Sequence, residues 1–139
     1  MSEQTAGAAG IVVKTSPFSV DDTVAHLSEL ITAKGMKLFA LIDHSGEAKA
    51  HGLELRNTKV VIFGSPVGGT PVMEAVPLVA LDLPLKVLIY DRGGETQVCY
   101  VPPEELARRY GLSEELAGHF AGINAITDVL VSQPSLTGL

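Results

Sequence analysis

Two short stretches of this 139-residue chain hold side chains and backbone whose spacing could do chemistry. The first is Gly64-Ser65-Pro66-Val67-Gly68-Gly69-Thr70. Read as a loop between a strand and a helix, it would expose unpaired N–H groups and a partial positive charge, which suit an anion. Glycines there would let a phosphate, carboxylate or sulfate approach the backbone closely. The loop lacks the Lys and Ser/Thr spacing of a nucleotide-binding loop, so ATP and GTP are not proposed. The plainer reading is that the glycines shape a tight turn and Thr70 caps the next helix.

The second stretch is Asp43-His44 at the end of a strand. Histidine titrates near neutral pH and can act as an acid or base. Neighbours on a strand point to opposite faces, however, so the pair need not cooperate. Asp43 also fits as the cap of a short helix. His44 and His51 resemble a metal pair, but on a helix they stand roughly 10 Å apart. Zinc ligands all lie about 2.0–2.3 Å from one ion. No metal site is expected.

Three further groups complete the candidates. Asp82 and Lys86 flank Pro84 and could present charge to a pocket, or could be a helix-ending Asp and a solvent-facing Lys. Met73, Tyr100 and Cys99 could line a pocket or contact haem, although soft residues on alternating strands are more often core. His26 reads as a solvated surface residue. No cofactor is expected.

The elements that must position these residues follow from periodicity. Ile11 to Lys14, Met36 to Ile42, Val60 to Phe63, Leu85 to Tyr90 and Thr96 to Val101 read as strands, the third buried on both faces. Ser19 caps a helix whose Val20, Val24, Leu27 and Ile31 share a face. Ser45 to His51 forms two helical turns closed by Gly52. Thr70-Pro71 opens another helix, interrupted at Pro77. Asp91-Arg92-Gly93-Gly94 is a hairpin turn. Pro102-Pro103 leads into a helix stopped by Gly111, and Ser113 caps a final one. The order β-α-β4-α predicts an α+β fold, a mostly antiparallel sheet with helices on one face. Residues 1–9 read as a disordered tail, 10–131 as a single domain and 132–139 as a C-terminal tail.

Composition narrows the function classes. Net charge is −6, with only 10 scattered basic residues, so the footprint of nucleic-acid binding is missing. The most apolar stretch, Val72 to Tyr90, is broken by Glu74, Pro77, Asp82, Pro84 and Lys86 and is too interrupted for a membrane span. The start lacks the features of a signal peptide. The single cysteine asks for no oxidising compartment. A cytoplasmic location is expected.

The middle of the chain resembles the bacterial and archaeal domain of unknown function 302 family. The resemblance is carried by Ile42-Asp43-His44, Ala48, Gly52-Leu53-Glu54-Leu55-Arg56 and Phe63-Gly64-Ser65-Pro66. It continues through Gly69-Thr70-Pro71-Val72-Met73, Leu81-Asp82-Leu83-Pro84-Leu85-Lys86-Val87-Leu88, the Tyr100 region and Leu106-Ala107-x-Arg109-Tyr110-Gly111. It runs from about residue 11 to 131. It implies a fold like the TATA-binding-protein half-domain, β-α-β4-α, and a homodimer. It implies no function. Ser65 stands where many relatives carry Asn, and Tyr100-Val101-Pro102-Pro103 where they carry Tyr-Asn-Asp-Pro, so a ligand touching those positions would differ.

Three functions compete on this reading. The leading one is a dimeric, non-enzymatic module holding a small, anionic metabolite at Gly64, Ser65, Gly68, Gly69, Thr70, Met73, Asp82, Lys86 and Tyr100. The second is an enzyme using His44, with Asp43 or Lys86. The third is a dimeric interaction module without a small ligand.

Overall fold

A computed structural model of the chain describes residues 10–132. Five strands form one sheet in the order β1-β5-β4-β3-β2: β1 (Val12–Ser16), β2 (Lys37–Asp43), β3 (Thr58–Gly64), β4 (Leu85–Arg92) and β5 (Glu95–Tyr100). Every neighbouring pair is antiparallel. Helix α1 (Val20–Ala33) crosses the sheet between its two edge strands. The ranges of the other helices are α2 (His44–Ala50), α3 (Pro66–Ala75), α4 (Pro103–Tyr110), α5 (Glu114–Ala117) and α6 (Gly122–Ser132). Short 3-10 turns cover Pro77–Asp82 and Gly118–Phe120. The α+β, antiparallel architecture expected from the sequence is the one observed.

Alternation builds the core. On β3, β4 and β5 the residues Val61, Phe63, Val87, Ile89 and Val98 are fully buried on one face. Val24, Leu27 and Ile31 of α1 and Ile123, Ile126 and Leu130 of α6 pack against them. Burying each such side chain stabilises the fold by about 1.5–3 kcal/mol. Ser19 starts α1 by accepting a hydrogen bond from the Asp22 N–H. Gly93 and Gly94, both at positive φ, close the β4–β5 hairpin, the conformation a two-residue turn demands.

Several expectations are corrected. β3 is buried on one face only, since Val60 and Ile62 are half-buried on the opposite, open face. The final helix is three pieces, because the backbone tightens to a 3-10 turn at Gly118–Phe120. His26 is not a freely solvated residue: its ring centroid lies 4.5 Å from that of Phe18. Of the tails assigned to residues 1–9 and 132–139, residues 1–9 and 133–139 lie outside the described residues, while Ser132 belongs to α6.

The largest correction concerns Gly64 to Thr70. This segment is not an open loop. Ser65 is the N-cap of α3 and Pro66 its first residue, so the helix starts five residues before Thr70-Pro71. Ser-Pro and Thr-Pro are the same start signal, met twice. The earlier one prevails, and Pro71 is carried inside the helix. Thr70 caps nothing, and its hydroxyl donates back to the Pro66 carbonyl at 2.6 Å.

Candidate functional site

The new start of α3 positions a stripe of four residues. Pro66, Gly69, Thr70 and Met73 recur at i, i+3, i+4 and i+7, which share one side of a helix. That side forms one wall of a cavity of about 370 Å³. Gly64 and Ser65 also line it, as do Met36, just before β2, and Phe39 of β2. Leu83, Pro84 and Leu85 enter from the approach to β4. His119, Phe120, Gly122 and Ile123 close it from the C-terminal region. The volume falls within the range of small-molecule sites, roughly 300–1,000 Å³.

The cavity's electrostatics are plain. Among the described residues no Asp, Glu, Lys or Arg lines it. Its polar side chains are Ser65, Thr70 and His119. Ser65 Oγ accepts from the Gly68 N–H at 3.1 Å, which leaves its own O–H free to donate. His119 is exposed, and its ring makes no hydrogen bond among the described residues. A charge buried in the interior would carry a penalty of several kcal/mol per ion. The start of a helix contributes only about 0.3–1 kcal/mol toward an anion. Here the start is already partly satisfied, because the Gly68 N–H goes to Ser65 Oγ and the Gly69 N–H to the Ser65 carbonyl.

Five of the candidate residues, Gly64, Ser65, Gly69, Thr70 and Met73, thus meet at one cavity. Gly68 does not line it. An added Cβ there would face the His119 carbonyl at 3.5 Å. Asp82 and Lys86 line a separate hollow of about 50 Å³, too small for a metabolite. They do not pair with each other by hydrogen bond. The Asp82 carboxylate accepts from the Tyr110 hydroxyl and from Arg109, and Lys86 Nζ donates to the Pro84 carbonyl. The Tyr110 hydroxyl first, then Arg109 against the opposing effect of burial, hold the Asp82 pKa below its ordinary value. This clasp ties the end of the 3-10 turn to α4.

Tyr100 is buried among core residues, with its hydroxyl on Asn124 Oδ1 at 2.6 Å and Lys14 Nζ 5.1 Å from its ring centre. It lines neither cavity. Asp43 caps α2. Its Oδ1 accepts from Ser45 Oγ at 2.7 Å and from the Gly46 N–H at 2.9 Å, and these bonds lower its pKa. His44 is exposed and lines neither cavity. His51 Nδ1 lies 3.0 Å from the Glu47 carbonyl on its own helix. Among the described residues no three His, Cys, Asp or Glu gather as a metal site.

Sequence reasoning missed Met36, Phe39, Phe120, Ile123 and His119. The first four are apolar residues that read as ordinary core. His119 stands between Gly118 and Phe120 with no local pattern to mark it. Only the fold brings these segments together.

An open antiparallel five-stranded sheet with helices packed on it, holding an uncharged cavity at one end, defines the class. The chain belongs to the family described as Domain of unknown function DUF302, which it matches over residues 12–130. A crystal structure of an uncharacterized conserved DUF302 protein from Bacillus stearothermophilus superposes with a TM-score of 0.75. That likeness covers 89% of this chain and 97% of the other at 18% identity, and it establishes the fold alone. Curated relatives include the Fluoride-specific ion channel FluC 1 of Brucella suis, 35% identical over 111 residues. Those residues are 78% of this chain and 44% of the relative. FluC 2 of Brucella melitensis is also 35% identical over 111 residues, 78% of this chain and 41% of its own length. The chain thus spans less than half the length of these relatives. No helix among the described residues is long and apolar enough to cross a membrane.

Proposed function

We propose that this chain is a binding or regulatory module whose small-molecule ligand sits in the cavity beside α3. The observation that carries this reading is the convergence of four sequence segments on one 370 Å³ space walled by residues of α3. Binding is favoured over catalysis because His44 and Asp43 lie outside that space, and the one acid–base group in its lining, His119, has no partner among the described residues. A cytoplasmic setting is consistent with a lone cysteine kept buried.

The test is a thermal-shift panel of sodium fluoride, inorganic phosphate, citrate, haem and indole. A ligand at one hundred times its dissociation constant adds about 2.7 kcal/mol of stability. The expected result is a shift of several degrees with one chemical class, lost in Gly69→Leu, which fills the wall. A flat panel, or equal shifts in the variant, rejects the reading.

The expected homodimer has its own support. β2 is an edge strand, and its Leu38, Phe39, Leu41 and Ile42 are between 36% and 49% exposed. Long apolar edges invite pairing with another chain. We infer that a second copy covers β2. Sedimentation equilibrium should give a dimer for the wild type and a monomer for Leu41→Lys. A monomeric wild type at high micromolar concentration rejects this reading.

A further inference from the structure

We propose that the ligand of the α3 cavity is an uncharged, largely apolar molecule about the size of two fused rings, carrying at most one hydrogen-bonding group. This rests on the reading that the cavity is a ligand site, and it replaces the anionic class suggested by the glycine-rich segment.

Three observations carry the inference. The first is the wall itself. Met36 and Met73 present thioethers, and Phe39 and Phe120 present rings. Thioethers fill irregular apolar spaces and contact aromatic rings favourably, and flat apolar rings stack against Phe. The second is the missing charge. With no Asp, Glu, Lys or Arg of the described residues in the lining, an ionised group would find no acidic or basic side chain inside to pair with, only the Ser65 hydroxyl and the exposed His119 ring. The one titratable lining side chain, His119, sits in water at the rim. The third is size. An apolar cavity of about 150 Å³ takes a benzene ring, and this one is more than twice that volume.

The polar group has few places to go. The Ser65 hydroxyl retains a proton to donate, and the His119 ring has no other bond among the described residues. Thr70 has already committed its proton to Pro66. A neutral hydroxyl, carbonyl or ring N–H directed at Ser65 or His119 therefore fits, with the rest of the molecule against carbon and sulfur.

Two of the chain's three methionines, Met36 and Met73, line the cavity, so their methyl resonances report on it directly. The experiment labels methionine methyls with carbon-13 in the full chain. It titrates indole, indole-2-carboxylate and inorganic phosphate. The expected result is saturable shifts of both methyls with indole. Binding of the carboxylate and of phosphate should be at least roughly tenfold weaker. Gly69→Leu should abolish the indole shifts, and Thr70→Phe, at the exposed rim, gives the same readout should the first variant not fold. Carboxylate or phosphate binding as tight as indole overturns the ligand class and leaves the cavity reading standing. Undisturbed methyls with every probe overturn both.

Discussion

Gly69→Ala should make the protein more stable and a poorer binder at once. Gly69 lies inside α3, where glycine is less favourable than alanine by about 0.8–1.0 kcal/mol. Its backbone is not at positive φ, so alanine meets no conformational strain. The nearest atom to an added Cβ is Met73 Cε at 3.7 Å, an ordinary contact. The propensity gain therefore survives, and the expected stabilisation is about 1 kcal/mol. For a chain of this length that raises Tm by roughly 3–5 °C. Thermal melts followed by circular dichroism measure the shift. Urea unfolding should move the midpoint with the slope unchanged, which marks a stability change rather than an altered end state. The same methyl occupies cavity space and should weaken indole binding. Gly68→Ala is the control, because its Cβ faces the His119 carbonyl at 3.5 Å and lies outside the cavity. It should leave indole binding intact. A lower Tm for Gly69→Ala would mean that the wall of α3 is tighter than described, and the argument from open space would fail.

Cys99 should be nearly inert in the native protein. Burial pushes its thiol pKa up to about 11, so roughly one molecule in a thousand carries the reactive thiolate at pH 8. A chromogenic disulfide reagent should react about a hundredfold faster after denaturation, and equal rates would contradict the buried position. Acid should act partly through Asp82. Its native pKa is lowered, so its contribution is present above the unfolded value of about 3.9 and is lost as pH falls through the native one. Asp82→Asn should therefore lower Tm at pH 7 and narrow its gap to wild type below about pH 4. A gap independent of pH would remove the carboxylate from the explanation.

The sheet was legible from the sequence because its signal is local. Val61 and Phe63, Leu85, Val87 and Ile89, and Val98 and Tyr100 alternate at the strand period, and neighbouring strands need only pair. The exposure of β2 was not legible. Leu38, Leu41 and Ile42 are as apolar as any core strand, and only its place at the sheet edge leaves them uncovered. Met36 and Phe39 entered the cavity for a similarly non-local reason. Their partners Phe120 and Ile123 lie some eighty residues further along the chain. Tyr100 is the opposite case. Its residue type suggested a site, but its place on β5 directs it to Asn124 in the helical layer.

The glycine-rich segment was found for a reason that the structure dismantles. An anion site there depended on α3 starting at Thr70, with the N–H groups of Gly68 and Gly69 free in a loop. A start at Ser65 commits both groups, one to the cap and one to the first helical turn. Those two N–H groups are thereby withdrawn from an anion. The property that remains is the missing side chain. On a helix, Gly69 falls on the same side as Pro66, Thr70 and Met73, and its lack of a Cβ becomes space in an apolar wall. The same residues therefore point to a ligand on either reading. The position of the helix start decides whether that ligand is held by backbone N–H groups or by carbon and sulfur.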